Sequence, residues 1–339
     1  MLDRMLDILA QHFQALASPR RLHVDLLHGR LRTDGSDLCA MYAGNGSNAE
    51  YLIGALFEGT PSRTRLAQCR PFAVASTLQR LASPAEILVC ERVPLWSALG
   101  PRIGDVRVPA WIRQELRVKH SGERWVLGRH LEREVERHIR RQNYRVIMSN
   151  TTADKDTFFE EFYLPYLQSR HGAGAITASR EKFSQVASRA TLAKLFAGDS
   201  WAAGMLLQHQ ADTLRFGWFG SRNNPPAPGA SEVLDVLCIR DALQRGVRCI
   251  NFGNSRPSLV DGIVRYKSKF GAQVVIPRYP QTVVEFQLRS NRPALREWLT
   301  SRQFICEHAD TVTVAQYPAG DPSARVQFTP IGNAAGVVQ

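Results

Sequence analysis

The stretch from Val247 to Gly271 limits the fold more than any other part of the chain. It opens as a short strand, Val247 to Phe252, in which Cys249, Ile250 and Phe252 are bulky and apolar. Gly253 and Pro257 then force a turn carrying the polar groups of Asn254, Ser255 and Arg256. A helix should follow, with Ser258 as N-cap, Asp261 completing a capping box, and Gly271 ending it just after Lys269. A strand, a polar turn and a helix start together make a βα unit. Such a unit sets a site beyond the carboxyl end of a strand and turns unpaired first-turn amides toward an anion. The same residues also read as an ordinary βα unit of a mixed sheet with no ligand.

Around this unit the chain needs a sizeable core, and its 339 residues with 44% hydrophobic content supply one. The length favours two domains or one double-lobed unit. No apolar run approaches the ~18 residues of a membrane helix, and Met1-Leu-Asp-Arg-Met-Leu-Asp lacks the basic start of a signal peptide. A cytoplasmic protein is expected. The six cysteines lie far apart without a Cys-x-x-Cys pair, so reduced core thiols are expected rather than zinc or disulfides. The net charge of +12 suits an anionic partner: nucleic acid, a CoA-type phosphate or an acidic membrane surface.

Taken in order, residues 1–17 space Leu2, Met5, Leu6, Leu9 and Phe13 as an amphipathic helix. Residues 22–44 read as a hairpin around Arg32-Thr-Asp-Gly-Ser36. Pro71 to Leu81 reads as a helix, Glu86 to Glu91 as a buried strand, and Pro94, Pro101 and Pro109 as marks of a loop-rich connection. Arg129 to Arg141 is a strong helix, with Leu131 and Val135 on one stripe and Arg129, Arg133 and Arg137 on another. That arginine row is either a solvated, salt-bridged face or a grip on a phosphate-bearing donor or RNA.

Asp154 to Gln168 carries an aromatic face of core type, broken by Pro165. Arg170 and His171 follow at its end, His171 as an acid/base candidate or simply a helix-dipole partner. Residues 191–221 read as an antiparallel meander. A proline-rich loop, Ser221 to Ser231, leads into an apolar helix from Glu232 to Arg245. Residues 272–277 and 282–288 read as closing strands, and Asn291 to Leu299 as a short helix.

Phe252-Gly-Asn-Ser-Arg-Pro257 and Asp261-Gly-Ile-Val-Arg-Tyr-Lys-Ser-Lys-Phe-Gly271 resemble the last strand-helix unit of GNAT-fold acyltransferases, in particular the FemAB-like and BioF2-like N-acyltransferase branch. Phe158 to Gly172 is similar to that branch's first helix, and the basic helix at 129–141 followed by Asn143-Tyr-Arg-Val146 also fits it. The resemblance covers roughly 125–290. It implies an α/β fold of α+β mixed-sheet type with two tandem GNAT-like lobes: 1–142, 143–290 as the active lobe, and a closing segment 291–339.

It further implies transfer of an acyl group from acyl-CoA or an acyl carrier thioester to an amine of a small molecule, amino acid or amino sugar, with no metal. The alternatives are a Fem-type transferase using aminoacyl-tRNA and a non-catalytic anion-binding module. Expected partners are the amine acceptor and either tRNA or an acyl carrier protein, with peripheral membrane contact left open. By the resemblance, Tyr266, His171 and Ser255 are the catalytic candidates, and Asn254, Arg256 and Arg170 bind substrate. Arg222, Asn223, Ser231, Lys267 and Lys269 would bind the donor. The loop at 222–229 departs from the usual GNAT pyrophosphate loop, because three prolines remove amide donors.

Overall fold

The computed structural model describes residues 21–46, 48–81, 84–92, 101–118, 125–171, 177–222, 227–277, 281–309, 311–318 and 325–331. The helix expected over 1–17 lies outside them. The first elements are β1 (Leu22–Leu31), β2 (Asp37–Gly44), α1 (Ala49–Leu56), β3 (Phe57–Cys69), α2 (Val74–Leu81), β4 (Ile87–Arg92), β5 (Val106–Pro109) and β6 (Ile112–Arg117). Next come α3 (Arg129–Gln142), β7 (Tyr144–Ser149), α4 (Thr152–Thr157), a π-helical turn (Phe158–Tyr163), α5 (Leu164–His171) and α6 (Arg180–Ala187). The meander of β8 (Thr191–Ala197), β9 (Ser200–Gln210) and β10 (Thr213–Ser221) leads to α7 (Ala230–Gln244), β11 (Cys249–Ser255) and α8 (Gly262–Ser268). The chain continues through β12 (Gln273–Val275), β13 (Val283–Leu288), α9 (Pro293–Arg302), β14 (Ile305–His308), β15 (Thr311–Gln316) and β16 (Gln327–Pro330).

The fold is mixed α/β, in two compact units. The first comprises the described residues up to Ile112, Ser255–Val264 and those from Val275 on; the second comprises Arg113–Asn254 and Arg265–Val274. The basic helix α3 therefore packs within the second unit.

In the first unit the sheet order is β3-β1-β2-β4-β13-β5, with β2 and β4 parallel and β13 antiparallel to both β4 and β5. The hairpin β1–β2 turns as expected, through Gly35 at φ +69 and the Ser36 amide donating to Asp34 Oδ1 at 3.1 Å. One face of this sheet buries Leu27, Tyr42, Phe57, Phe286, Trp298 and Phe304. Each such burial contributes about 1.5–3 kcal/mol. Trp298 also donates its indole N–H to the Ala55 carbonyl at 2.8 Å, so its own polar atom is satisfied.

In the second unit the order is β12-β6-β11-β10-β9-β8-β7. Each large sheet thus takes one strand, β13 or β6, from the sequence region that builds the other. The residues 101–117, expected as a loop-rich connection, contain β5 and β6; their alternation is short, and their pairing partners lie far away in sequence. Residues 305–316, in the expected closing segment, likewise form β14 and β15 of a small third sheet.

The helix expected at 154–168 breaks into three pieces. Leu164 donates its amide to the Phe159 carbonyl, five residues back. The wide turn lies on two glycines that face each other across β9 and β10, Gly204 and Gly220. A Cβ at Gly220 would stand 2.7 Å from the Tyr163 amide nitrogen, and one at Gly204 would stand 2.8 Å from the Phe158 ring. Pro165, lacking an N–H, follows directly. The aromatic stripe is core: Phe158, Phe159, Phe162 and Tyr163 pack with Phe183 and Trp218.

Candidate functional site

The site is built where β10 and β11 run side by side and part. They pair in parallel over three residues, Thr213–Arg215 against Cys249–Asn251. Beyond that, β10 bulges between Phe216 and Phe219, and the end of β11 is held by side chains instead of by β10. Asn251 Oδ1 accepts the Gly253 amide at 2.8 Å, and Lys267 Nζ donates to the carbonyls of Gly253 and Asn254 at 3.3 and 2.9 Å. Gly253 sits at φ +74, which glycine adopts without strain.

Two helices bring the chemistry to this end. On α7, Asp235 sits among Val233, Leu234, Val236 and Cys238 and is 7% exposed. On α8, Tyr266 packs edge-on against Phe270 with ring centroids 5.3 Å apart and donates its hydroxyl to Asp235 Oδ2 at 2.7 Å. Burial drives the Asp235 carboxyl up to about 7, against the Tyr266 hydrogen bond that lowers it; Glu232 raises it further and Lys267 opposes. The Tyr266 phenol is pushed well above its ordinary value, first by burial and then by Asp235. The pair can hold or pass one proton near neutral pH.

The other expected site residues are only partly brought to this pair. Ser231, at the start of α7, donates to Glu232 at 2.7 Å, and its hydroxyl is close enough to Tyr266 to act against the rise in that phenol's pKa. Lys269 lies over the Tyr266 ring at 5.8 Å, and Arg170 lies over the Tyr166 ring at 5.0 Å; Tyr166 feels the charges of Glu232 and Asp235. Lys267 is 8% exposed, and its ammonium is taken up by backbone carbonyls rather than offered to a phosphate. Arg222 pairs with Glu161 at 2.8 Å over the Phe162 ring.

Asn223 and the His171 side chain lie outside the described residues. Asn254 and Ser255 continue β11 rather than forming a turn, Asn254 exposed and Ser255 buried. Arg256 belongs to the first unit.

The expected capping box is not formed. Ser258 Oγ donates to the Arg302 carbonyl, and the Ser258 amide donates to the Arg256 carbonyl. Asp261 caps α8 instead, accepting the amides of Ile263 and Val264 at 2.9 and 3.2 Å. A carboxylate reaching two first-turn amides sets the start of the helix three residues later than Ser258 would.

No protein-family model and no curated protein matches this sequence. Its fold does have solved likenesses. The chain is similar to L-PGS from Bacillus licheniformis, at 11% identity over 80% of this chain and 87% of that one, with a TM-score of 0.41. It is similar to FemX at 13% identity over 76% and 83%, with a TM-score of 0.41. It is also similar to a GCN5-related N-acetyltransferase from Sphaerobacter thermophilus at 12% identity over 74% and 72%, with a TM-score of 0.35.

Asp235 is the residue that sequence reasoning passed over. A single acid inside Val233-Leu-Asp-Val-Leu-Cys238 was the available signal, because an unpaired charge on an apolar helix face is costly unless used. Among the described residues no three His, Cys, Asp or Glu side chains group to hold a metal ion.

Proposed function

We propose that this chain transfers an acyl group from a thioester donor, acyl-CoA or an acyl carrier, to an amine. The observation that carries the reading is the buried Asp235 carboxyl, titrating near 7 and hydrogen-bonded by the Tyr266 hydroxyl beside the parting strands. An acceptor arrives as an ammonium and must lose a proton before it attacks. In the proposed step the Tyr266 oxygen takes that proton while its own passes to Asp235. The nitrogen–carbon bond forms, the carbon–sulfur bond breaks, and the thiolate leaves to be protonated. The parting of β10 and β11 beyond Arg215 and Asn251 suits an extended donor arm laid between them.

At the start of α7, Gly229 holds φ +69, and a Cβ there would stand 2.6 Å from the His138 ring. This glycine lets the loop close on the helix N-terminus, where the donor's phosphates would be bound. The Tyr266 proton points at Asp235, so in this reading Tyr266 relays a proton.

A second reading, an aminoacyl-tRNA donor, is favoured by one observation. Arg129, Arg133, Arg137, Arg140 and Arg141 of α3 are all exposed, on a chain with net charge +12. Both readings are tested by incubating the protein with acetyl-CoA, longer acyl-CoAs and charged tRNA separately, in the presence of mixed amines, and following the amide product. Transfer from one donor class that Asp235→Asn abolishes supports the proposal. An Asp235→Asn variant as active as the parent, or no transfer from any donor, rejects it.

A further inference from the structure

Arg256 differs from the ion-paired arginines of the first unit. Arg92, 2% exposed, faces Glu285 at 3.7 Å. Arg292 pairs with Glu86 at 3.3 Å, and Arg63 and Arg65 both pair with the fully buried Asp25. Arg256 is half-buried, and among the described residues it forms no ion pair. Among the described residues its side chain donates from Nη1 to the neutral Asn48 Oδ1. Burial lowers its pKa, the mark of a desolvated cation; the charges of Tyr51, Glu91 and Asp261 act against that from longer range.

Its surroundings are built. The guanidinium carbon lies 3.9 Å from the Trp111 ring centroid and 4.4 Å from that of Tyr51, so aromatic rings cover the cation. The backbone that carries it is pinned. Pro257 accepts the Ile305 amide at 2.9 Å, Leu259 donates to the Gln303 carbonyl at 3.1 Å, and Ser258 bridges to Phe304. Beside the guanidinium is a depression lined by Leu52, Val108, Val284, Phe286 and Phe304. Apart from the Nη1 bond to Asn48, the guanidinium N–H donors have no hydrogen-bond acceptor among the described residues and are the part able to bind.

We propose that Arg256 is the centre of a second ligand site in the first unit, one that binds a carboxylate or phosphate carried on an apolar body. A fixed guanidinium edge matches two oxygens of either group, and the apolar lining takes the attached chain. Glu91, which accepts the Asn48 amide at 3.0 Å, and Asp261 are the acids nearest in charge; they restrain the affinity. Arg256 belongs to the first unit and Asp235 to the second, and the proposal does not depend on the acyl-transfer reading.

Trp111 provides the readout. The full chain is titrated at fixed ionic strength with hexanoate, hexyl phosphate and inorganic phosphate, following tryptophan emission and heat. Saturable binding of hexanoate or hexyl phosphate is expected, and the tighter of the two identifies the anion. Arg256→Gln should weaken it at least tenfold, the size of one charged hydrogen bond. Arg256→Lys, which keeps the charge but not the fork, should fall between, and Asp235→Asn should bind as the parent does. The proposal is overturned if no probe binds the parent up to about 10 mM, or if Arg256→Gln or Arg256→Lys, melting where the parent melts, binds as the parent does. Inorganic phosphate binding as tightly as hexyl phosphate would overturn the apolar part of the site.

Discussion

Both large sheets contain a parallel pair, β2–β4 in one and β10–β11 in the other, and the two pairs end differently. At β2 and β4 the register runs over four residues, Ala40–Ala43 against Ile87–Cys90, and its end is filled by the protein's own side chains. Tyr42, Glu91 and Arg92 are each 2% exposed or less there, with Glu91 held by the Asn48 amide and Arg92 by the Pro101 carbonyl at 2.8 Å. At β10 and β11 the register runs over three residues; the strands then part, and the buried acid at that end, Asp235, is met by a single phenol. At the first end Glu91 and Arg92 are held by neighbouring backbone groups, and that end reads as structure. At the second, burial pushes the Asp235 carboxyl up to about 7, which is why the proposed chemistry is put there.

The largest expected difference between the two ends is in turnover. Asp235→Asn should lower kcat at least a hundredfold, the low end of what a positioned base contributes. Glu91→Gln should leave turnover per folded molecule unchanged and lower stability by about 1–3 kcal/mol, because a buried amide loses a charged acceptor. Transfer assays and thermal melts on both variants separate the roles; a shared loss of turnover would erase the distinction. Tyr266→Phe should also reduce turnover and shift the pH–rate limb upward, because its hydrogen bond lowers the Asp235 pKa.

Next in size is the support beneath the open end. Gly220→Ala should cost about 1–3 kcal/mol, since its Cβ meets backbone rather than a movable side chain. An unchanged melting temperature would mean that the π-helical turn does not rest on β10. The smallest effect is at α8, where Asp261→Ala should cost about 1 kcal/mol and Asp261→Asn should restore most of it. Equal melting points for Asp261→Ala and the parent would place the cap elsewhere.

Local patterns made much of this legible. The hairpin at 22–44, the basic helix α3, the meander β8–β10 and the stop at Gly271 all follow from spacing and turn residues. Three kinds of information were not local. Strands β5 and β6 are short, and β6 and β13 join sheets built mostly by distant residues, which no period reveals. The start of α8 was decided by competition between two cap residues, and the Arg302 carbonyl withdrew Ser258 from it. The π-helical turn owes its width to Gly204 and Gly220, more than 40 residues beyond it. At the site, Tyr266 and Ser231 were readable as polar groups near a helix start, whereas their partner Asp235 was masked by the apolar helix around it.

The account stands on the protonation of Asp235, and one titration tests it. A carboxyl whose folded pKa is raised above its unfolded value favours folding most at low pH, and that contribution is lost as pH rises. Between pH 4 and 7 the unfolded chain loses this proton while the folded one keeps it. The stability of Asp235→Asn relative to the parent, measured by denaturant unfolding at intervals from pH 4 to 8, should therefore rise over that window and level off above about 7. A difference that stays flat across the whole range would put Asp235 at its ordinary acidity and contradict the proposed proton transfer.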